Sequence, residues 1–444
     1  MKKKNILYII VVFIIFLFYF NLDKIRLTAS ILLPESYKQK IRELFFGRGT
    51  ADLFKKYKVY GKMNYNQNIL PQTQFVDIEL KEFILDKLNL NASHSKWAAN
   101  SVLFFLEQHN NDIIIADTAG SFFFIDKNFL DDFNDFQFVK INTNFKFAGE
   151  KGSIRDLFVY NDYLYISYSD YKTKDCTKIN ISKSKISKIK LNFEIFFKSK
   201  DCNEELDSAR MTFISHNGKD GLIVTTDTNL DGLEAQKVNS SFGKTLFIDF
   251  EKKKSIIFSK GHRTPQGLYA DKNIILSAEH GPRGGDEINL IKFGGNYGWP
   301  IASYGEPYYA QKFYETEKSK NSFFYKKSHS DYDFIEPIYS FIPSIGINQI
   351  IKIPDNFSKF WKGKGSFLIT SLNGRSIYRI VIDKNFEKLI SKEKIFIGKR
   401  IRDIIYLDEK KVFLLALEGS KSSSTIEGAS RIGILKEKIS ENKF

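Results

Sequence analysis

Cysteine, histidine and the short motifs of several enzyme classes are scarce or missing in this sequence. Its 444 residues include 2 cysteines, 6 histidines, 3 methionines and 9 prolines. No cysteine or histidine cluster has the spacing of a zinc site, and there is no G-x-S-x-G elbow, Walker A loop or Rossmann glycine pattern. These absences argue against a zinc-binding domain, a serine hydrolase and the common nucleotide-binding folds.

The chain is instead rich in aromatic and basic residues. It contains 42 Phe and 22 Tyr and carries a formal net charge of +15. Hydrophobic residues make up 43% and charged residues 27%, which is the balance of a folded protein. The lysines are scattered rather than clustered, so we interpret most of them as a solvated surface and expect no nucleic-acid partner.

The first 22 residues predict a membrane anchor. Lysines occupy positions 2–4 and an apolar run covers residues 6–20, a pattern that signal peptides and short anchors share. Asn21 and Leu22 follow in place of a small-x-small cleavage site, which favours an uncleaved anchor, with cleavage near Ala29 as the alternative. By the positive-inside rule, this predicts a single-pass inner-membrane protein whose main domain lies in the periplasm or outside the cell.

Residues 23–74 are interpreted as a spacer. Their apolar residues have helical spacing after Pro34, with Ile41, Leu44 and Phe45 on one side, so an amphipathic helix is expected there. Nothing in the spacer indicates chemistry.

The two cysteines, Cys176 and Cys202, form an even pair separated by 26 residues. In an exported domain such a pair indicates one disulfide. Two unrelated buried thiols are the alternative.

A repeated unit organises residues 75–440. A turn of Asn, Asp, Gly or Lys precedes three or four β-favouring apolar residues, in six copies that begin at positions 110, 161, 219, 271, 363 and 409. Intervals of roughly fifty residues predict an all-β, six-bladed β-propeller with one copy in each blade. A larger insertion lies between the fourth and fifth copies, and the last strand, SRIGILKEK, is expected to complete the sixth blade.

Arginines precede several of the repeats, where the inner strand of a blade would begin. In a propeller these positions surround one mouth of the central channel, so we expect the arginines to converge there: Arg155, Arg210, Arg263, Arg400 and Arg402. A ligand with several carboxylates would suit them, because guanidinium binds carboxylate through two parallel hydrogen bonds. Alternatively, Asp156 and Asp403 pair with arginines of neighbouring blades as structural ties.

Residues 261–308 hold closely spaced polar side chains in a frame of glycines and prolines. Here HRTPQG, EHGPRGGDEINLI and GGNYGWP follow one another, and PSIGIN, TSLNGRSIYRI and KRIRD come later. In these motifs the chain resembles the glucose/sorbosone dehydrogenase family over roughly residues 100–435. The family includes soluble aldose dehydrogenases that use pyrroloquinoline quinone (PQQ), a planar tricarboxylated quinone.

The resemblance implies a set of site residues. It places PQQ at Arg263, Gln266, Arg400 and Arg402, with Asn373 where the family often has a cofactor lysine. It implies one calcium at the carbonyls of Gly281 and Pro282 and, as in some members, a second at Glu287 and the carbonyl of Tyr297, which are oxygen ligands of the kind calcium prefers. Aromatic residues are available to stack on a sugar, namely Tyr304 and Tyr308.

The sequence departs from the family at two further points. Thr264 stands where the family has asparagine. No histidine precedes Arg210 in CNEELDSARMTF, where the family's enzymes carry the base that accepts the sugar hydroxyl proton. Glu204, Glu205 or Asp207 could replace it only if partly buried, since a carboxylate beside an arginine is a weak base. His216 and His280 are not assigned to this role.

The sequence therefore predicts a PQQ-dependent aldose dehydrogenase-like oxidoreductase that acts on a small-molecule sugar, transfers hydride to the quinone and passes electrons to an unknown acceptor. The alternative is a non-catalytic propeller that binds a sugar or another anion at its arginine-lined mouth. A structural scaffold at the cell surface is a third class.

Overall fold

A computed structural model of the chain describes residues 77–93, 101–130, 138–149, 151–173, 176–203, 207–228, 232–272, 274–305, 328–358, 360, 361, 363, 365–420 and 429–438. Within these residues the short 3-10 helices are Asp86–Leu88, Lys127–Leu130, Gly232–Gln236 and Ser330–Tyr332. The strands in chain order are β1 (Ile78–Ile84), β2 (Ser101–Val102), β3 (Phe104–His109), β4 (Asp112–Asp117), β5 (Phe122–Asp126), β6 (Phe138–Thr143), β7 (Lys151–Tyr160), β8 (Tyr163–Thr173), β9 (Cys176–Lys185), β10 (Lys190–Leu191), β11 (Glu194–Lys198), β12 (Met211–His216), β13 (Lys219–Thr225), β14 (Lys244–Asp249), β15 (Ser255–Lys260), β16 (Pro265–Asp271), β17 (Ile274–Glu279), β18 (Asp286–Leu290), β19 (Tyr339–Phe341), β20 (Ile347–Lys352), β21 (Ser366–Ser371), β22 (Ser376–Ile382), β23 (Leu389–Phe396), β24 (Ile401–Leu407), β25 (Val412–Leu417), β26 (Gly419–Ser420) and β27 (Arg431–Glu437).

Most of these strands belong to six sheets. Their strand orders, inner strand first, are β3-β4-β5-β6-β10, β7-β8-β9-β11, β12-β13-β14-β15, β16-β17-β18-β19, β20-β21-β22-β23 and β24-β25-β27-β1. Each inner strand contacts the inner strand of the next sheet, and β24 contacts β3, so the inner strands form a closed ring. The fold is therefore a six-bladed β-propeller, as the repeat predicted.

The repeat seen in the sequence is the second strand of each blade. β4, β21 and β25 are buried at every residue, because neighbouring blades cover both of their faces. In the sequence, a strand that is buried on both faces appears as a continuous run of apolar residues. The turns before these strands contain residues with positive φ, such as Asn110, Asn161, Lys272 and Lys411, which explains the Asn-rich turn signature.

The hydrophobic core is divided among the spaces between blades. Ile114 and Phe124 of the first blade pack with Ile166 of the second, whereas Ile113 on the opposite face packs with Leu414 of the sixth. Successive side chains of one strand thus point into two different interfaces. This arrangement fixes each blade's position and with it the residues at the channel mouth.

The N-terminal strand closes the ring. β1 pairs antiparallel with β27 from Ile78 opposite Glu437 to Ile84 opposite Arg431. The expectation that the last strand of the chain completes the sixth blade is therefore wrong, since β27 is the third strand and β1 is the outermost. A strand from the other end of the chain pairs with β27, which local sequence pattern does not reveal.

Cys176 and Cys202 form a disulfide, with their Cα atoms 5.1 Å apart. The bond joins the start of β9 to a segment where Thr177 and Asn203 also exchange backbone hydrogen bonds. The disulfide prediction is confirmed, and the alternative of two free thiols is excluded.

No helix within the described residues has the length and apolar character needed to cross a membrane. The predicted anchor, residues 1–22, and the predicted spacer, residues 23–74, lie outside the described residues.

Candidate functional site

Arg210 bridges five of the six blades. Its Nη1 donates to Asp156 Oδ1 at 2.8 Å and to Asp403 Oδ1 at 3.1 Å, while Nε donates to the carbonyl of Gln266 at 2.8 Å. Nη2 donates to the carbonyl of Arg402 at 2.9 Å, and the guanidinium lies 5.0 Å from the ring centre of Phe105 in the first blade. The interpretation of Asp156 and Asp403 as structural ties is therefore correct for Arg210.

Two buried carboxylates share this single guanidinium. Burial raises the pKa of Asp156 to about 7, although Arg210 lowers it, and the neighbouring Asp403 raises it further. Burial likewise raises the pKa of Asp403 against the opposing effect of Arg210. Both carboxylates also accept backbone N–H groups, Asp156 from Met211 and Asp403 from Leu106, which holds the inner strands together.

Arg155 has a different partner. Its Nη2 lies 3.1 Å from Asp207 Oδ1, and its Nε donates to Ser169 Oγ at 3.2 Å. Gln266 Nε2 donates to the carbonyl of Asp207 at 2.9 Å, which ties the fourth blade to the residues that lead into the third. Asp207 is thus held at its side chain by Arg155 and at its backbone carbonyl by Gln266.

Arg400 and Arg402 are held by one carboxylate, Glu418. Arg400 Nε donates to Glu418 Oε2 at 2.5 Å, and Arg402 Nε donates to Glu418 Oε1 at 2.7 Å. The Glu418 side chain is only 3% exposed, and burial alone would raise its pKa, but Arg402 and Arg400 together hold that pKa below its usual value. Sequence reasoning missed Glu418, although its position directly after β25, beside the start of β24, was a usable signal.

The motif GHRTPQG is fixed by Glu279. His262 Nδ1 lies 3.0 Å from Glu279 Oε2, and the backbone N–H of Arg263 donates to Glu279 Oε1. Arg263 Nη1 donates to the carbonyl of His280 at 3.1 Å, and its guanidinium lies 5.3 Å from the ring centre of Trp299. The Arg263 side chain is thereby directed along one wall of a pocket.

This pocket is formed within the fourth blade and the residues before it. It is lined by Gly261, Arg263, Glu279, His280, Gly281, Pro282, Glu287, Tyr297, Trp299, Ala302 and Ser303. Burial raises the pKa of Glu287 well above its usual value, and the nearby Glu279 carboxylate adds to the increase. Nε2 of His280 is buried without a hydrogen-bond partner among the described residues.

His280, which lines the pocket, has a shifted pKa. Burial lowers the pKa of His280; Asp286 opposes this shift, and Arg263 and Arg402 add to it. The positive charges of Arg263, in the fourth blade, and Arg402, in the sixth, thus both disfavour protonation of His280.

A sequence model of the glucose/sorbosone dehydrogenase family matches residues 109–422. The chain belongs to this family. It is 30% identical to the aldose sugar dehydrogenase YliI of Escherichia coli over 168 residues, which is 37% of this chain and 42% of that protein. It is 46% identical to quinoprotein glucose dehydrogenase B of Acinetobacter calcoaceticus over 78 residues, 17% of this chain and 14% of that protein. The match thus spans less than half the length of each relative.

The fold is also that of solved family structures. The PQQ-bound aldose sugar dehydrogenase of Streptomyces coelicolor superposes with a TM-score of 0.54 at 17% identity, covering 83% of this chain and all of that one. At this identity the similarity concerns the fold alone.

The residues that the glucose/sorbosone dehydrogenase resemblance assigned to calcium lie together. Gly281, Pro282, Glu287 and Tyr297 all line the pocket. The Pro282 carbonyl accepts Ser344 Oγ at 3.3 Å, and the Tyr297 hydroxyl donates to the carbonyl of Leu290 at 2.5 Å. No group of three or more His, Cys, Asp and Glu side chains arranged to hold a metal occurs among the described residues.

Asp286, to which the motif assigned no role, joins two loops of the site. Its Oδ1 accepts the backbone N–H of Gly281 at 3.1 Å and Ser344 Oγ at 2.8 Å. Its Oδ2 accepts the N–H groups of Ile345 and Ile347, each at 2.9 Å. The Gly281–Pro282 turn and the PSIGIN loop are thereby held against each other.

Of the remaining assigned residues, Asn373 and Tyr304 are not among those that line the pocket. Asn373 packs against Gly346 of the PSIGIN loop, where an added Cβ would lie 2.9 Å from Asn373 N. The Tyr304 hydroxyl donates to Glu336 Oε2 at 2.7 Å, and the ring stacks on His329 with centroids 5.2 Å apart. Tyr308 lies outside the described residues. The roles of these three residues stay predictions.

Only some of the candidate bases lie within the described residues. Asp207 is described and pairs with Arg155, whereas Glu204 and Glu205 lie outside the described residues. His216 ends β12, six residues beyond Arg210, and packs against Phe258 and Phe293. It therefore lies away from the channel mouth, as expected.

Proposed function

We propose that this protein binds PQQ with calcium at the channel mouth and that it is a sugar dehydrogenase of the quinoprotein type. The observation that carries the proposal is the pocket in which Arg263, the Gly281–Pro282 turn and the buried, unpaired Nε2 of His280 meet. The relatives named as a quinoprotein and as PQQ-bound support this choice of cofactor.

The charges at the site support a divalent cation as part of the complex. Glu418 already pairs with both Arg400 and Arg402, and the pocket beside Arg263 also contains the carboxylates of Glu279 and Glu287. A ligand with three carboxylates then requires further positive charge. Glu287 and the carbonyls of Gly281, Pro282 and Tyr297 offer the oxygen donors that calcium prefers.

PQQ, when bound, supplies an acceptor for the hydride that leaves the sugar, and the protein supplies position and electrostatics. Arg402 and Arg400 keep N–H groups beyond those used by Glu418, because each guanidinium has five donors. Those donors can bind carboxylate while Glu418 keeps the side chains in place. Arg263 and Trp299, which lie against each other, line the pocket.

A non-catalytic binding propeller is the second candidate. No histidine lies between Cys202 and Arg210, and the one described acid in this stretch, Asp207, is paired with Arg155. A general base must be free to accept the hydroxyl proton of the sugar, and the Asp207 carboxylate is already engaged by Arg155. This favours a protein that binds its ligand without turnover.

We further propose that residues 1–22 anchor the protein in the inner membrane with the propeller in the periplasm. The disulfide supports an oxidising compartment. Protease added to intact spheroplasts should remove the propeller and leave a fragment in the membrane. Protection of the propeller until the membrane is lysed would contradict this location.

The test of function is a titration of the full chain in detergent with PQQ, in calcium buffer and in a chelator, followed by visible absorbance as an aldose panel is added. Binding with reduction of the quinone establishes the dehydrogenase, and binding without reduction establishes the second candidate. No binding in either buffer overturns the cofactor proposal. Arg402→Met should abolish binding, whereas Lys436→Met on the outer surface should not.

A further inference from the structure

Lys244 is a buried cation with no role in the site described above. It opens β14, and its side chain is fully buried. Its Nζ donates to three backbone carbonyls, those of Glu234 at 2.7 Å, Ala235 at 3.0 Å and Phe242 at 2.7 Å. Burial lowers the pKa of Lys244 to about 7, but three carbonyl acceptors match the three donors of an ammonium group and therefore favour the charged form.

Two of these carbonyls belong to the 3-10 helix Gly232–Gln236. The last carbonyls of a helix lack donors within the helix and attract positive charge. Lys244 therefore holds the end of this helix. The carbonyl of Ala235 also accepts the backbone N–H of Gly261, the first residue of the GHRTPQG motif, at 3.1 Å.

The next residue of the helix, Gln236, forms hydrogen bonds with the GNYGWP loop. Its Nε2 donates to Asn296 Oδ1 at 3.1 Å and to the carbonyl of Trp299 at 2.6 Å. Asn296 Nδ2 donates back to Gln236 Oε1 at 2.9 Å. One glutamine thus fixes both ends of the segment 296–299.

That segment is a wall of the pocket. Tyr297 and Trp299 line it, and the Arg263 guanidinium lies over the Trp299 ring. The Lys244 ammonium is therefore connected to the wall that faces Arg263 by its hydrogen bonds to the helix, by the covalent chain from Ala235 to Gln236, and by the hydrogen bonds of the Gln236 side chain.

We propose that Lys244 is a positioning residue, whose buried ammonium sets the helix Gly232–Gln236 and, through Gln236, the pocket wall at Asn296, Tyr297 and Trp299. The importance of this wall for PQQ rests on the proposed function. The position of the wall itself does not.

The test is amide hydrogen exchange of the full chain without PQQ, comparing the wild type with Lys244→Met. The matched control is Lys254→Met, which removes an exposed lysine from the turn before β15 in the same blade. Lys244→Met should speed exchange in residues 296–299 about tenfold, while the first and sixth blades stay unchanged and the control has no effect. Unchanged exchange in 296–299, or an equal increase in all blades, would overturn the proposal.

A second variant covers the case in which Lys244→Met does not fold. Gln236→Ala keeps the Lys244 ammonium and its carbonyl partners but removes the side-chain hydrogen bonds to Asn296 and Trp299. It should therefore also speed exchange in residues 296–299. Normal protection there would refute the link. PQQ affinity, measured in parallel, separates the two proposals: the wall can loosen as expected even if the wild type binds no PQQ.

Discussion

Arg210 Nη1 lies 2.8 Å from Asp156 Oδ1, in a pair that joins the third blade to the second and is almost fully buried. The same nitrogen lies 3.1 Å from Asp403 in the sixth blade. An arginine that the sequence placed in a ligand-binding ring therefore acts as a tie between blades. The arginines that remain for a ligand are those of the fourth and sixth blades.

Replacing Arg210 by Met should destabilise the protein by about 3–5 kcal/mol, because two carboxylates are left buried without their cation. Urea unfolding at pH 7 measures this. The triple variant Asp156→Asn, Arg210→Met, Asp403→Asn should recover part of the loss, since it buries no charge. A single variant as stable as the wild type would contradict the role of Arg210.

Glu418→Gln should lower the free energy of unfolding by about 2–3 kcal/mol at pH 7, as expected for hydrogen bonds to charged groups. Because the pKa of Glu418 is lowered in the folded protein by its arginines, its contribution is present above the pKa of the unfolded chain and is lost as the pH falls through the folded value. The wild type and the variant should therefore become equally stable in acid. A difference that persists at low pH would argue against the ion pairs as the cause.

Sequence pattern revealed the fold because the second strands are buried on both faces. The outer strands were harder to see: β23, for example, is exposed at several positions and has no continuous apolar run. The closing strand β1 could not be assigned, since its partner β27 is at the other end of the chain. Pairing between distant segments depends on ring closure and leaves no local signal.

The site was predictable where glycine and proline shape a motif and unpredictable where one side chain reaches across blades. Gly281, Pro282, Glu287 and Tyr297 lie together because they belong to one short stretch. The pair of Arg210 with Asp403 spans 193 residues, which no spacing rule anticipates. Lys244 resembles any lysine at the start of a strand until its carbonyl partners are known.

The disulfide should contribute about 3 kcal/mol, given the 26-residue separation of Cys176 and Cys202. Substituting both cysteines by serine should lower the urea midpoint, and dithiothreitol should lower that of the wild type but not of the double variant. Non-reduced peptide mapping should recover the two cysteines in one linked peptide. Equal midpoints with and without reductant would show that the bond adds no stability.

Two substitutions of Asp286 distinguish the effect of its hydrogen bonds from the effect of its charge. Asp286→Ala removes the acceptor for the N–H groups of Gly281, Ile345 and Ile347, so we expect a loss of about 2–4 kcal/mol and weaker calcium-dependent PQQ binding. Asp286→Asn keeps one side-chain carbonyl and should lose less of both. Calorimetric unfolding and PQQ titration measure the two effects. If Asp286→Ala weakened stability yet left PQQ affinity unchanged, the Gly281–Pro282 turn would not be part of the binding site.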